Sequence, residues 1–329
     1  MGGGFKQINT EEENQMAQPG DTFDTYDMSG IREDLANIIY NISPTETPFF
    51  SMSGKGKAHN TQFKWLTDSL AAAADNLKIE GDDYTGAAST ATTELNNYTQ
   101  ISAKNFIVTG TDDAVDAAGR TTELAYLLAK NAKELKRDVE FALTATNTGK
   151  AVGSSSVARR TGGVMSWLAT NESVGTGGSA PAGDGTNGRT NGTQRAFAES
   201  QLKAVIKAAY DSGGNPDVIM VGAFNKQQLS TFTGNSTAIR DVPAKTVIAA
   251  VDVYVSDFGE MSVVPNRFMS NRSAFILDSE YWGYNFLRNF QTHELAKTGD
   301  NTHMLLLVEG GLVSRNEAAS GIVADLTSS

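Results

Sequence analysis

The sequence predicts a mixed α+β fold, with helix, short strands and long antiparallel ribbons segregated along the chain. Three observations carry this reading. Thr121–Thr146 reads as one long amphipathic helix, and the runs Phe63–Thr67, Tyr98–Val108, Phe286–Leu295 and Met304–Ser314 are rich in β-formers. Between them, Lys150–Thr193 is dominated by Gly, Ser, Thr and Asn. The 329 residues, 40% apolar, allow one large or two modest domains with a real core. Zero cysteines exclude disulfides, thiolate catalysis and sulfur-ligated zinc. A net charge of −11 argues against nucleic-acid binding through a broad basic face. There is no apolar run of about 18 residues and no basic-then-apolar leader, so no membrane contact or secretion is expected.

Met1–Ser29, with MGGG and Glu11-Glu12-Glu13, reads as a polar arm with little periodicity. In Gly30–Ser51 (GIREDLANIIYNISPTETPFFS), Ser29 can cap a short helix on which Ile31, Leu35, Ile38 and Ile39 share a face. Pro44 and Pro48 then predict an extended path that ends in the apolar knob Phe49-Phe50. The segment is too apolar for water and too short to fold alone, so it must dock against something. Gly54–Gly110 reads as two strand arms, Phe63–Thr67 and Tyr98–Val108, joined by a polar tip that holds Lys78, Glu80, Asp82 and Asp83. Arms of roughly 15–20 residues would reach about 50–65 Å at ~3.3 Å per residue. An isolated two-stranded ribbon is marginal. Either these strands belong to a compact sheet, or the hairpin projects and rests on a neighbouring subunit. The second reading has Phe63, Trp65 and Tyr98 owing much of their burial to that neighbour or to the arm beneath.

In the long helix, Leu124, Leu127, Leu128, Leu135, Val139 and Leu143 form an apolar stripe. Lys130, Lys133, Glu134, Lys136, Arg137 and Glu140 are assigned to the other side, with Lys130/Glu134 and Lys136/Glu140 at pairing distance. Thr121 or Thr122 caps the start and Gly149 stops the helix, which spans about 39 Å at ~1.5 Å per residue. Beyond it, Gly162–Leu168 is an apolar island and Gly175–Gly188 a flexible surface loop. Thr193 is expected to cap a helix to Tyr210, followed by an apolar strand at Asp217–Val221 and a brief helix capped by Asn225. Val251, Val253 and Val255 alternate before a turn at Asp257-Phe258-Gly259 and a return at Met261–Val264, and Ala274–Leu277 adds a strand. Phe286–Leu295 and Met304–Ser314 flank a tight turn at Lys297–Asn301.

No catalytic set, cofactor site or metal site can be assigned. The histidines are His59, His293 and His303; His293-Glu294 begins like HExxH, but Lys297 stands where the second ligand belongs. His293 and His303 could face each other across the last hairpin. Glu80, Asp82 and Asp83 read as a solvated acidic tip, and Asp21, Asp24 and Asp27 lack the glycine and closing Glu of an EF-hand. Gly149-Lys150-Ala151 has neither the upstream glycine nor the Ser/Thr of a phosphate loop.

The order of arm, projecting hairpin, long helix, Gly-rich α/β region and closing ribbon resembles the Hong Kong 97 phage capsid fold. The stretches Gly30–Ser51, NPDVIMVG (Asn215–Gly222), VDVYVSDFGEMSVVPNRF (Val251–Phe268), LAKTGD (Leu295–Asp300) and EGGLVSRNEAA (Glu309–Ala319) resemble major capsid proteins of tailed phages, over most of Gly30–Leu326. The resemblance implies an N-terminal arm (1–53), an extended loop (54–110) and a peripheral domain with the spine helix (111–149). An axial domain (150–283), a peripheral return (284–315) and a C-terminal segment (316–329) follow. It implies a non-enzymatic protein that assembles with itself into hexamers and pentamers of an icosahedral shell, the virion capsid, made in the host bacterial cytoplasm. The shell would enclose double-stranded DNA without sequence-specific binding. Phe49, Phe50, Phe63, Trp65, Lys78, Glu80, Asp82, Asp83 and Tyr98 are the expected subunit-interface residues. The implied partners are a portal protein, a decoration protein and a separate scaffolding protein; the roughly 30 residues before the first matching stretch are too few for a fused scaffold. An isopeptide cross-link from Lys78 to an Asn of the next subunit would follow the fold's namesake. An encapsulin-type bacterial shell shares the fold and stays open as an alternative, as does a β-rich phage tail or sugar-binding protein.

Overall fold

The computed structural model of the chain describes residues 46–81, 86, 91–115, 122–232 and 252–328. The first half contains helix α1 (Pro48–Met52), strands β1 (Gly54–Lys57), β2 (Gln62–Thr67), β3 (Thr93–Tyr98) and β4 (Gln100–Thr109), and helices α2 (Gly110–Ala114) and α3 (Glu123–Thr144). The second half contains β5 (Glu172–Ser173), α4 (Glu199–Asp211), β6 (Val218–Val221), α5 (Ala223–Ser230), β7 (Val253–Ser256), β8 (Gly259–Pro265) and β9 (Ala274–Leu277). Strands β10 (Trp282–Glu294), β11 (Asn301–Ser314) and β12 (Gly321–Val323) close the chain. The expected short helix on Ile31–Ile39 and the path at Pro44 lie outside the described residues.

Among the described residues the strands form three sheets. Their orders are β1-β10-β11-β4, β5-β12-β9-β6-β8-β7, and the separate ribbon β2-β3. The six-stranded sheet is covered on both faces, and its strands sort their side chains by parity. Val218, Met220, Phe275, Leu277 and Ile322 join the core around α3 and Trp167. Ile219, Val221, Ala274, Ile276 and Val323 join the core under α4 and α5. A continuously apolar run such as VIMV is therefore what two-sided burial demands, since alternate residues point to opposite faces.

Helix α3 is the spine expected from its periodicity. Thr122 caps it by accepting from the Ala125 N–H at 3.3 Å, and Leu135, Val139 and Leu143 are fully buried. Glu140 departs from the expected polar side: it is buried with the stripe, at 0% exposure. Pro48 also departs from its expectation. It opens α1 instead of forcing an extended path, because at the first helical position the missing N–H has no intrahelical acceptor to lose.

The expected long hairpin divides at Thr99. Strand β3 pairs with β2 from Gln62↔Tyr98 to Thr67↔Thr93, while β4 turns away to pair with β11 along Gly310↔Gln100 to Asn301↔Thr109. Thr99 is fully buried at the switch, its hydroxyl donating to Glu309 Oε1 at 3.0 Å. The ribbon's paired arms are thus six residues each, far shorter than the expected 15–20. The closing ribbon β10-β11 forms as expected, but its register sets His293 opposite Leu305, and His303 opposite Ile107 of β4. The two histidines do not face each other.

Helix α4 starts at Glu199, not near Thr193, because the backbone before it is engaged elsewhere: the Thr193 N–H donates to the Thr176 carbonyl at 2.9 Å and the Arg195 N–H to the Asp325 carbonyl at 2.7 Å. Asn225 does not cap α5. It lies inside the helix, buried, with its Nδ2 donating to the Asn271 carbonyl at 2.8 Å. The Gly175–Gly188 stretch lies partly at the surface, as expected, but is anchored at its glycines: a Cβ on Gly185 would stand 2.6 Å from the Trp167 indole, and one on Gly188 2.3 Å from the Asn147 carbonyl. Here the glycines permit close backbone approach.

Candidate assembly interface

Two junctions position the predicted interface residues. The first fixes α1, the start of the described chain. Glu140 Oε1 and Oε2 accept from the backbone N–H groups of Phe49 (2.9 Å) and Phe50 (2.7 Å), and Asn266 Nδ2 donates to Oε1 at 2.6 Å. One carboxylate thereby ties together α1, the spine helix and the end of β8. Phe49 meets Trp282 edge-on at 6.0 Å, and Phe50 meets Tyr284, Phe286 and Phe290 at 5.3–6.2 Å. Lys55 completes the junction. Its Nζ sits 3.7 Å from the centroid of the Phe50 ring and also donates to the Phe50 carbonyl. Burial pushes the Glu140 carboxyl above the usual range, against the pull of the Phe50 and Phe49 amides, Asn266 and Lys55. Burial likewise lowers the Lys55 ammonium to about 8, with Glu140 opposing the shift.

The second junction roots the ribbon. Trp65 lies between Phe63 and Trp167, with ring centroids at 5.9 and 5.4 Å, and its Nε1 donates to the Ser314 carbonyl at 2.9 Å. Asn97, fully buried, donates to Thr161 Oγ1 (3.0 Å) and the Leu312 carbonyl (2.7 Å) and accepts from the Gly162 N–H (3.0 Å). Glu309, nearly buried, holds Thr99 and pairs with Arg159 and with Arg288 Nε at 2.8 Å. Tyr98 is half-buried, its hydroxyl accepting from Gln62 Nε2 at 3.4 Å. The glycine pair of EGGL explains the fit. A Cβ on Gly311 would stand 2.7 Å from the Tyr98 carbonyl and 2.8 Å from the Phe63 ring, and one on Gly310 would stand 2.4 Å from the Tyr284 ring.

Phe49, Phe50 and Phe63 are therefore buried by their own chain, at 0, 7 and 8% exposure. Phe49 and Phe50 dock on their own chain, and Phe63 owes its burial to Ala58, Trp65, Leu287 and Val313 instead of to a neighbour or to the arm beneath. Beyond the root the picture reverses. Residues 68–79 carry no helix or strand, Lys78 and Glu80 are exposed, and Leu70, Leu77 and Ile79 are 99, 81 and 79% exposed. Asp82 and Asp83 lie outside the described residues. The predicted residues thus divide into a buried root and an exposed distal segment. Sequence reasoning missed Glu140, Asn97 and Glu309. Of the three, Glu309 carried a signal, standing beside the two glycines of a strand otherwise rich in apolar residues.

A family model described as SU10 major capsid protein matches residues 13–327. A major capsid protein of Escherichia phage Phieco32 is 29% identical over 345 residues, covering 94% of this chain and 97% of the relative. Among solved structures, a cyanophage A-1(L) capsid asymmetric unit is similar at a TM-score of 0.65 and 12% identity, covering 92% of this chain and 98% of that one. A phage G structure of gp27 major capsid proteins with gp26 decoration proteins is similar at a TM-score of 0.55 and 10% identity, covering 95% and 100%.

Proposed function

The chain belongs to the SU10 major capsid protein family, and from that premise we propose that the distal segment that begins at residue 68, exposed through residue 81, is the element that reaches a neighbouring copy when the shell assembles. The protein is the major capsid protein of a tailed bacteriophage, with a Hong Kong 97-like fold, and it forms the virion capsid. The observation that carries the proposal is the contrast at the ribbon: a root pinned by Trp65 and Asn97, then three large apolar side chains left in water. Burying an exposed Leu or Ile side chain contributes about 1.5–3 kcal/mol, so a partner that covers all three gains several kcal/mol from them. Lys78 and Glu80 would lie at that contact, with Asp82 and Asp83 beyond them, while Phe63, Trp65 and Tyr98 would hold the root rigid.

On this reading residues 1–53 form the arm, 54–110 the extended loop, 111–149 and 284–315 the peripheral domain, 150–283 the axial domain and 316–329 the closing segment. The β4 pairing attaches Gln100–Thr109 to the peripheral sheet, so the projecting part runs from Gln62 to Tyr98. Rings of five and six copies, made in the host bacterial cytoplasm, would close into an icosahedral shell around double-stranded DNA through heterologous contacts. A scaffolding protein, a portal and a decoration protein are the further partners proposed; the decorated phage G shell supports the last of these.

The test replaces Leu70, Leu77 and Ile79 together by Ser. The subunit keeps its unfolding temperature, because these side chains are 79–99% exposed among the described residues, while negative-stain microscopy shows no closed shells. Normal shells from the triple variant refute the proposal. A ladder of covalent oligomers in boiled detergent gels, lost in Lys78→Arg, would add an isopeptide bond to the same contact.

A further inference from the structure

Five charged side chains meet at the β5–β12 side of the six-stranded sheet, away from both junctions. Arg189 and Arg195 come from the chain leading into α4, Arg272 from the β8–β9 connection, Glu172 from β5 and Asp325 from just beyond β12. The Arg189 side chain is 1% exposed and pairs with Glu172 through Nη2. Asp325, 2% exposed, accepts from the N–H groups of Gly175 (3.1 Å) and Gly192 (2.8 Å) and from Arg272 Nη2 (3.1 Å). Arg272 Nη2 also donates to the Gly192 carbonyl at 2.8 Å, and Arg195 Nη2 donates to Ser173 Oγ at 2.8 Å. After these contacts Arg189 Nε and Nη1, Arg195 Nε and Arg272 Nε remain buried with no acceptor among the described residues.

The imbalance is one of charge as well as of hydrogen bonds. Three guanidinium groups face two carboxylates, and Asp325 is the carboxylate whose field reaches Arg189 and Arg195 and which Arg272 contacts directly. A guanidinium does not shed its proton inside a protein, so the excess positive charge persists. Water would satisfy the spare N–H groups but leave the charge. A phosphate of nucleic acid or a carboxylate of another copy cannot reach a side chain that is 1% exposed without opening the fold. A small monoanion answers both needs.

We propose that the buried Arg189, flanked by the partly exposed Arg195 and Arg272, forms a site for one halide-sized anion, chloride under ordinary conditions. Bound there, it locks the closing segment to the Gly175–Gly192 stretch. The backbone supports a locking role, because the same residues stitch this seam. Arg195 N–H donates to the Asp325 carbonyl (2.7 Å), Thr327 N–H to the Arg195 carbonyl (2.9 Å) and Leu326 N–H to the Arg272 carbonyl (2.9 Å). Burial pulls the Arg189 and Arg195 guanidinium groups below their ordinary pKa, against the opposing fields of Glu172 and Asp325 on the first and of Asp325 on the second.

The experiment compares thermal unfolding of the full-length subunit in sodium chloride, sodium bromide and sodium gluconate at one ionic strength. Both halides raise Tm over gluconate, with the rise growing with halide concentration as a ligand bound only by the native state requires. The chloride NMR line broadens in the presence of folded protein, and bromide relieves the broadening. Arg189→Met abolishes both effects. Equal Tm in all three salts, together with an unbroadened chloride line, overturns the proposal. If Arg189→Met does not fold, the wild-type salt comparison and NMR line decide alone.

Discussion

Glu140 shows how much one side chain can organise when it is turned inward. A carboxylate at 0% exposure is tolerated here because two amide N–H groups and Asn266 saturate it while Lys55 supplies nearby positive charge. Glu140→Gln keeps the shape but turns an NH2 group toward donors. The expected loss is about 1–3 kcal/mol of stability, the range for leaving buried groups unsatisfied, measured by urea unfolding at neutral pH. Lys55 makes a separate pH prediction. Its folded pKa lies near 8 against 10.5 unfolded, so the unfolded chain binds more protons across that window. The Lys55 contribution is therefore fully present above 10.5 and lost as pH falls through 8. The stability difference between wild type and Lys55→Met should shift in favour of wild type from pH 7.5 to 9.5, by chemical denaturation. A pH-independent difference would show that the ammonium is solvated.

This residue also marks where sequence reading runs out. Lys136 and Glu140 stand four apart, the spacing of a solvent-exposed pair, and nothing in a helical wheel states that a carboxylate will find backbone N–H partners ninety residues away. Such partners are set by tertiary packing, which periodicity does not encode. The apolar positions Leu135, Val139 and Leu143 were legible because their burial needs only a face, not a particular acceptor.

At the scale of elements, the ribbon root depends on glycine space and one indole. In Gly311→Ala the new methyl meets the Tyr98 carbonyl and the Phe63 ring inside contact distance, so β3 or β11 must shift. A cost of about 1–3 kcal/mol is expected from overpacking, and Phe63→Leu in the same chain should recover part of it. A double variant no better than the single would place the clash on the backbone instead. Trp65→Phe removes the bond to the Ser314 carbonyl and should lower stability by about 1 kcal/mol without altering helix content by circular dichroism. The runs Phe63–Thr67 and Tyr98–Val108 were visible as β-formers, as were the closing ribbon and the two-sided VIMV strand. The break at Thr99 was not. Both halves of that run have the composition of strand, and only the competition between β2 and β11 for pairing decides where one ends. Helix α4 was misplaced at its start for a similar reason: Thr193 is a good cap, but its backbone N–H is claimed by the Thr176 carbonyl and that of Arg195 by the Asp325 carbonyl.

At the scale of the molecule, −11 per chain must be reconciled with dense assembly and with DNA inside the shell. Like-charged subunits repel once they approach within about a Debye length, which is about 10 Å at 0.1 M salt and 3 Å at 1 M. The contacts proposed to close the shell are apolar at Leu70, Leu77 and Ile79, and added salt does not weaken burial of that kind. Raising sodium chloride from 0.05 to about 0.5 M should therefore speed assembly of purified subunits, followed by light scattering, with gluconate acting as well as chloride because screening is not ion-specific. That equivalence separates this effect from the halide site, where the two anions must differ. The same charge predicts no micromolar mobility shift of double-stranded DNA by purified subunits at physiological salt, since counterion release needs cationic contacts that an acidic surface does not supply. Assembly slowed by salt would mean that ion pairs, not the apolar distal segment, join neighbouring copies, and the interface would then have to be sought on the charged faces of α3 and β4.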